Sequence, residues 1–454
     1  MGRFSVHAAA AAGFRDGCAP SGGLRAGLVL VFVLSVFLMT NDNTLKLSSV
    51  HLSSLVSLLM LGFFIVEGLV RRELTLVRHP LQAPLFLLLL WALATLLISW
   101  LSPSKAAPEG VYGYVWTRGL NAPGLRGIAF LIRMLLSIFA IEFVVSGLDT
   151  RDRFFRAVNA FIVVYAFVCL FGTLQVLLHF LVHIDIGNII TYPNFRIGGY
   201  VGEPQTYGIL LVSGLFLVIA AVKSKSERIR VPGRVLKAVL LMAIFDLIFT
   251  FSVSMLVSVL AALLVFGKEM RRRTMLIWGV AASVLVVIFH NAVNSIILNK
   301  LMSEALTVNS RTLTWKVGLR MFRDNLLTGV GVGHSPLFSE KVSNSLNFRF
   351  ASLDFYTFRV NILNTYIEWA AETGLIGLAI LVWLVYSAWR LGRARGNSTQ
   401  EYRFVRLAFG GGLIAISVSA NSYGGAFYIG AMNLVLAMYV AGMRLFNRNK
   451  PTVY

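Results

Sequence analysis

The chain has 454 residues, of which 57% are hydrophobic and 13% charged, and a formal net charge of +21. A water-soluble chain carries about a quarter charged residues, so this composition excludes an ordinary soluble domain. The positive charge does not mark a nucleic-acid binder, because the cations sit in short loops between apolar runs and set topology and contact with anionic lipid.

Apolar runs of about 18–25 residues cross a bilayer as helices. Strict alternation of apolar and polar residues is missing, which removes a closed barrel and leaves helices. The sequence therefore predicts an all-α polytopic integral membrane protein. Its spans are expected near 25–40, 50–70, 82–101, 127–146, 157–183, 206–222, 236–250, 254–267, 274–292, 362–386, 403–419 and 425–443, twelve in number. The pair around "FTFSVSM", Phe249–Met255, reads either as a tight re-entry or as one kinked helix.

Residues 1–24 form the predicted cytoplasmic N-terminal segment, without the design of a cleaved signal peptide. Spans one to nine follow over 25–292, and residues 444–454 form a cytoplasmic tail. Of the 41 Lys and Arg, 27 are assigned to cytoplasmic segments, which include the loops "RRELTLVR", "DTRDRFFR", "KSKSERIRVPGRVLK", "KEMRRR" and "WRLGRARG", 13 to external ones and Arg133 to a span; this bias places those loops inside. Cys18 lies in the cytoplasmic segment and Cys169 within a span, so no disulfide or thiolate metal site is expected. His179 and His183, with Asp185 close by, have metal-like spacing at the outer end of span five, but no second cluster supports a metal.

Between spans five and six lies "RIGGYVGEPQTYG", residues 196–208, a glycine-rich stretch expected to be loosely hinged. Arg196 and Glu203 are either a structural pair tying the loop to the helix below, or a cation and a carboxylate for substrate. Pro204 suits the first turn of the sixth span, with Glu203 near its positive dipole end.

Residues 293–361 break the rhythm of span and short loop, and they fall on the same predicted external side. Loops of this length are usually functional. Within this one, "NSRTLTWKVGLRMFRDN" predicts a helix over 309–325, with Ser310 as its cap. Arg311, Trp315, Gly318 and Phe322 share one face, and Lys316, Arg320 and Arg323 another. Arg311 and Arg320 are about 180° apart on a straight helix, so they cannot grip one ligand together. Arg311, in the first turn beside free amides, suits phosphate, with a structural salt bridge as the bland alternative.

"TGVGVGH" follows at 328–334 and lacks the Lys-Ser/Thr ending of a Walker loop. His334 is either a base or a surface histidine. Asn364, Glu368 and Glu372 recur at i, i+4 and i+8 in the tenth span, facing a cavity or pairing with a buried cation such as Arg133. Glu142 and Asp246 are further acids within spans.

These pieces resemble, in order and spacing, the O-antigen ligase and O-antigen polymerase superfamily (the Wzy and WaaL type). The resemblance rests on the external Arg-Gly loop with "GEP", on "SRTLTWKVGLRMFRDNLLTGVGVG", and on "NTYIEWAAETGLIGLAI". It implies a GT-C-like glycosyltransferase of the Gram-negative inner membrane, with both termini cytoplasmic and a periplasmic active site. The implied donor is an undecaprenyl-pyrophosphate-linked glycan, and the acceptor is a second lipid-linked repeat or lipid A-core. Neither metal nor other cofactor is implied, and a flippase and a chain-length regulator are the implied partners. Arg196, Arg311 and Arg320 would bind the diphosphate, Glu203 or His334 would be catalytic, and Asn364, Glu368, Glu372 and Trp315 would support the glycan site. Two departures favour a polymerase over a ligase. Leu363 stands where ligases carry His before Asn364, and Glu203-Pro204 stands where ligases tend to carry Asn. A relative's Arg after the seventh span is also missing here, where the sequence reads "SVS". A lipid-linked-glycan transporter is the competing class, since twelve spans with intramembrane acids also suit transport.

Overall fold

A computed structural model describes residues 20–37, 52–71, 77–101, 123–187, 189–190, 195–199, 204–224, 226–266, 311–336, 338, 342, 362, 364–393, 399–422 and 430–446. These are helical apart from turns and a two-residue strand pair. The helices are α1 Pro20–Phe37, α2 Leu52–Arg71, α3 Gln82–Leu101, α4 Pro123–Gly147, α5 Arg151–Leu177, α6 Pro204–Lys223, α7 Gly233–Phe249 and α8 Val253–Phe266. They continue with α9 (311–324), α10 Thr365–Leu391, α11 Gln400–Val405, α12 Gly411–Ser419 and α13 Gly430–Phe446. A π-turn, Arg406–Gly410, joins α11 to α12, so that they run on as one continuous helical segment.

Among the described residues, five helices are long and apolar enough to cross a membrane: Gln82–Leu101, Gly127–Gly147, Arg151–Val182, Pro204–Lys223 and Thr365–Leu391. Shorter apolar helices lie at Gly23–Val36, Leu55–Glu67, Ser254–Phe266 and Gly430–Phe446. The ninth expected span, 274–292, Cys18, and the long loop outside 311–336, 338 and 342 fall outside the described residues. The chain is an all-α membrane protein.

α6 is the central helix. Its glycines let neighbours come close, with Gly214 against the Tyr165 ring of α5 and Gly208 against Met255 of α8. α7 stops at Phe249, and Phe251 takes a left-handed conformation at φ 47°. α8 then restarts and packs chiefly along α12 rather than back on α7. The two are separate helices, which settles the "FTFSVSM" ambiguity.

Charged contacts gather at one end of the bundle. Arg25 of α1 pairs with Glu67 of α2 at 2.5 Å, Arg228 with Asp152 at 2.5 Å, and Arg151 with Glu401 at 3.4 Å. Arg151, Arg228 and Arg406 also sit over the rings of Phe446, Phe155 and Phe266. Thr150 caps α5 there, its side chain accepting from the Arg153 amide. Glu142 meets His79 at 2.9 Å, both buried. The opposite end carries the segments of chemical interest.

Asp246, fully buried on α7, accepts from Thr173 of α5 and Tyr207 of α6, each at 2.9 Å. This knot ties three helices just below the 196–199 segment. Tyr207→Phe leaves one carboxyl oxygen of Asp246 without its donor, which costs about 1–3 kcal/mol for a buried group. Thermal unfolding in detergent is expected to show that loss, and an unchanged midpoint would refute the knot's structural role.

Candidate active site

The 195–199 segment is not loosely hinged. Arg196–Ile197 pairs antiparallel with Ile189–Ile190, a hairpin that the apolar pattern did not reveal. Ile197 is fully buried, and Gly199 lies against the Tyr207 ring. Gln175 of α5 donates to the carbonyls of Ile186 and Gly199, at 2.7 and 3.1 Å. The half-buried Arg196 donates from Nε to the Thr250 carbonyl at 3.0 Å, which anchors it to the end of α7. α6 begins at Pro204, as expected, while Glu203 lies outside the described residues.

The second part of the site is built where α10 breaks. Gly374 takes φ 69° and ψ −166° inside the helix. A break at membrane depth is tolerated only when the freed backbone groups find partners. Here the chain after α9 supplies them. The amides of Val330 and Gly331 donate to the carbonyls of Ala371 and Glu372, both at 2.9 Å. Leu375 donates to the Leu326 carbonyl at 2.7 Å, and the Trp91 indole of α3 donates to the Thr373 carbonyl at 2.8 Å. Gly329 is required by contact as well as by its φ of 64°, because a Cβ there would lie 2.3 Å from the Glu372 carbonyl carbon.

α9 docks beside this break. Its buried face is Val317, Gly318 and Met321, which form a small core with Val330, Phe338, Ile362 and Ala371. That face is rotated from the predicted one, so Arg311 and Trp315 are half-buried at its margin rather than at its centre. Arg320 lies on the outer face, where its Nε donates to Asp324 at 2.7 Å. Ser310, the predicted cap, lies outside the described residues.

His334 is 2% exposed, which corrects the surface alternative. Its Nδ1 lies 3.0 Å from the Val332 carbonyl, so that nitrogen carries the proton and donates. The neighbouring Ser335 donates from its hydroxyl and its amide to one oxygen of Glu372, at 2.7 and 3.3 Å. Asn364 caps α10, its side chain accepting from the amides of Tyr366 and Ile367. Glu368 is buried in the first turn. Arg133 is exposed on α4, so it is not the buried partner expected for these acids. His179 bonds Asp185 at 2.6 Å, and no three-residue metal-ligating group occurs among the described residues.

Arg196 and Arg311 lie at the same end of the bundle without touching among the described residues. A chain of packing links them. Arg196 holds Thr250, α8 leaves that turn alongside α12, and Tyr366 of α10 donates to Ser417 of α12 at 2.7 Å. Ile367 of α10 then meets Gly318 of α9. Ser335 and Trp91 had no signal in the sequence, because both act through contacts distant along the chain.

Residues 238–382 match the family described as O-antigen ligase. No curated protein matches the chain. The matched segment carries Arg311, Trp315, His334, Asn364, Glu368 and Glu372, whereas Arg196 and Glu203 precede it. The resemblance to the O-antigen ligase and polymerase superfamily therefore holds over the broken helix and its docked loop.

Proposed function

From a chain whose residues 238–382 carry the domain of the O-antigen ligase and polymerase superfamily, we propose a polysaccharide polymerase that joins lipid-linked repeat units at the outer face of the membrane. The donor is a polyprenyl-diphosphate-linked glycan. Arg196 and Arg311 bind its diphosphate and stabilise the charge that develops as it leaves. The hydroxyl of a second lipid-linked unit attacks the anomeric carbon from the opposite face and inverts it, without a metal. A base removes the hydroxyl proton, and Glu203 and His334 are the two that the sequence offers. Asn364, Glu368, Glu372 and Trp315 support the glycan side, while Arg320, paired with Asp324 on the outer face of α9, takes no part in holding the diphosphate.

The observation that carries this reading is the loop 326–335 docked into the break of α10, which fixes α9 and Arg311 at the end of the bundle that also holds Arg196. A transporter uses paired broken helices to line a cavity. Here the carbonyls freed by the break are taken up by Val330, Gly331 and Trp91, so the break serves docking.

Purified protein in vesicles with lipid-linked repeat units is expected to give a ladder of long chains. Glycan appearing on lipid A-core, with no ladder, would replace polymerase with ligase. Repeat units crossing the bilayer without any new glycosidic bond would replace both with transport.

A further inference from the structure

His179 stands in a defined geometry at the same end of the bundle as Arg196. It sits in the π-turn Leu178–Val182 at the end of α5, which closes at His183 in a left-handed conformation. Single π-turns of this kind recur at functional positions. Asp185 approaches the ring at 2.6 Å from Nδ1. A carboxylate only accepts, so Nδ1 carries the proton and Nε2 presents a lone pair. Phe195 stacks on the ring at 4.4 Å with 26° between planes, and Phe180 closes its edge at 4.9 Å. The tautomer and the ring plane are thus both fixed, while 26% of the side chain stays exposed. Nε2 makes no hydrogen bond among the described residues. Phe195 is followed directly by Arg196, so the open nitrogen lies beside the hairpin that carries the proposed diphosphate cation.

We infer that His179, oriented by Asp185, is the general base of the glycosyl transfer, an assignment that rests on the function proposed above. The acceptor hydroxyl gives its proton to Nε2, and its oxygen bonds to the anomeric carbon. The bond from that carbon to the diphosphate oxygen breaks, and the electron pair leaves on the diphosphate. Asp185 stabilises the imidazolium, which then releases its proton to water at the exposed edge. His334 offers less, since it is buried and its Nδ1 faces a neutral carbonyl rather than a carboxylate that would stabilise an imidazolium.

The test uses the full chain in vesicles, with lipid-linked repeat units extracted from the membranes that make them. His179→Gln keeps a donor toward Asp185 and cannot accept the proton, so the fold is retained while the chemistry is not. Both His179→Gln and His179→Ala are expected to lower kcat by about 10²–10⁴-fold, the usual share of a general base. KM should stay within about twofold, because substrate binding is unchanged. Added imidazole should restore part of the rate to the Ala variant, which leaves room for it, and none to the Gln variant. Wild-type kcat in His179→Ala, or a loss carried by KM alone, would overturn the assignment. So would a comparable loss in Glu203→Gln or His334→Ala with His179→Ala unaffected. A wild-type protein that forms no glycosidic bond from this probe would instead overturn the proposed function, and the base with it.

Discussion

Replacing Arg311 or Arg196 with Ala is expected to lower polymerisation kcat by about 10²–10³-fold each, the usual effect of removing one preorganised donor from a developing negative charge. The double substitution is the more informative measurement. If both guanidiniums hold one leaving diphosphate, removing the first already spoils the geometry that the second exploits. The two losses then couple, and the double variant falls well short of their product. Losses that multiply cleanly would mean two separate sites, and no loss in either would remove both residues from the chemistry. The structure makes this a real question, since among the described residues Arg196 and Arg311 are linked through Thr250, α8, α12 and Tyr366 rather than by direct contact. Arg320→Ala serves as the internal control. Its guanidinium is paired with Asp324 on the outer face of α9, so a change no larger than about threefold is expected, as for a surface ion pair. Arg196→Lys should retain part of the activity, because the charge survives while the planar fork that also grips the Thr250 carbonyl does not.

The membrane class and most helix positions were legible because they follow from local composition. An apolar run must be helical in lipid whatever surrounds it. The same holds for Pro204 at the start of α6, for the helix over 311–324, and for the opposition of Arg311 and Arg320 around it. The rest was hidden because it depends on pairing across the chain. "AETGLIG" reads as an uninterrupted amphipathic segment until Val330 and Gly331, far earlier in the chain, donate amides to its Ala371 and Glu372 carbonyls. The 196–199 segment looked hinged because glycines permit motion, yet Gly199 admits the Tyr207 ring and its carbonyl accepts from the carboxamide of Gln175. His179 was read only for metal spacing to His183. Asp185 is part of that spacing, and the π-turn shows it as a hydrogen-bond partner of the His179 ring. Glycine thus carries two meanings that sequence alone does not separate, freedom in the unpaired chain and close approach in the folded one.

That distinction leads to the largest expected effect on stability. Gly374→Ala places a side chain in a backbone region, φ 69° and ψ −166°, that only glycine occupies readily. Its Cβ would also lie 2.3 Å from the Leu327 carbonyl oxygen and 2.6 Å from the Thr328 amide nitrogen, neither of which is a flexible side-chain end. Relief requires the two backbones to part, and parting breaks the bonds from Val330, Gly331 and Leu375. Strain of about 1–3 kcal/mol adds to about 1–3 kcal/mol for each buried group left unsatisfied, so the docked loop is expected to come free. Limited proteolysis should then cut within 326–335, the thermal midpoint in detergent should fall, and activity should vanish with Arg311 still in place. Gly329→Ala, which presses on the Glu372 carbonyl from the other side, should behave alike. Gly62→Ala is the matched control, a helical glycine of α2 with nothing within 4 Å of an added Cβ. There alanine should stabilise by up to about 1 kcal/mol. If Gly374→Ala instead kept wild-type protection and activity, the docked loop would not be what holds α9 and Arg311 in place, and the site would have to be assembled by some other contact.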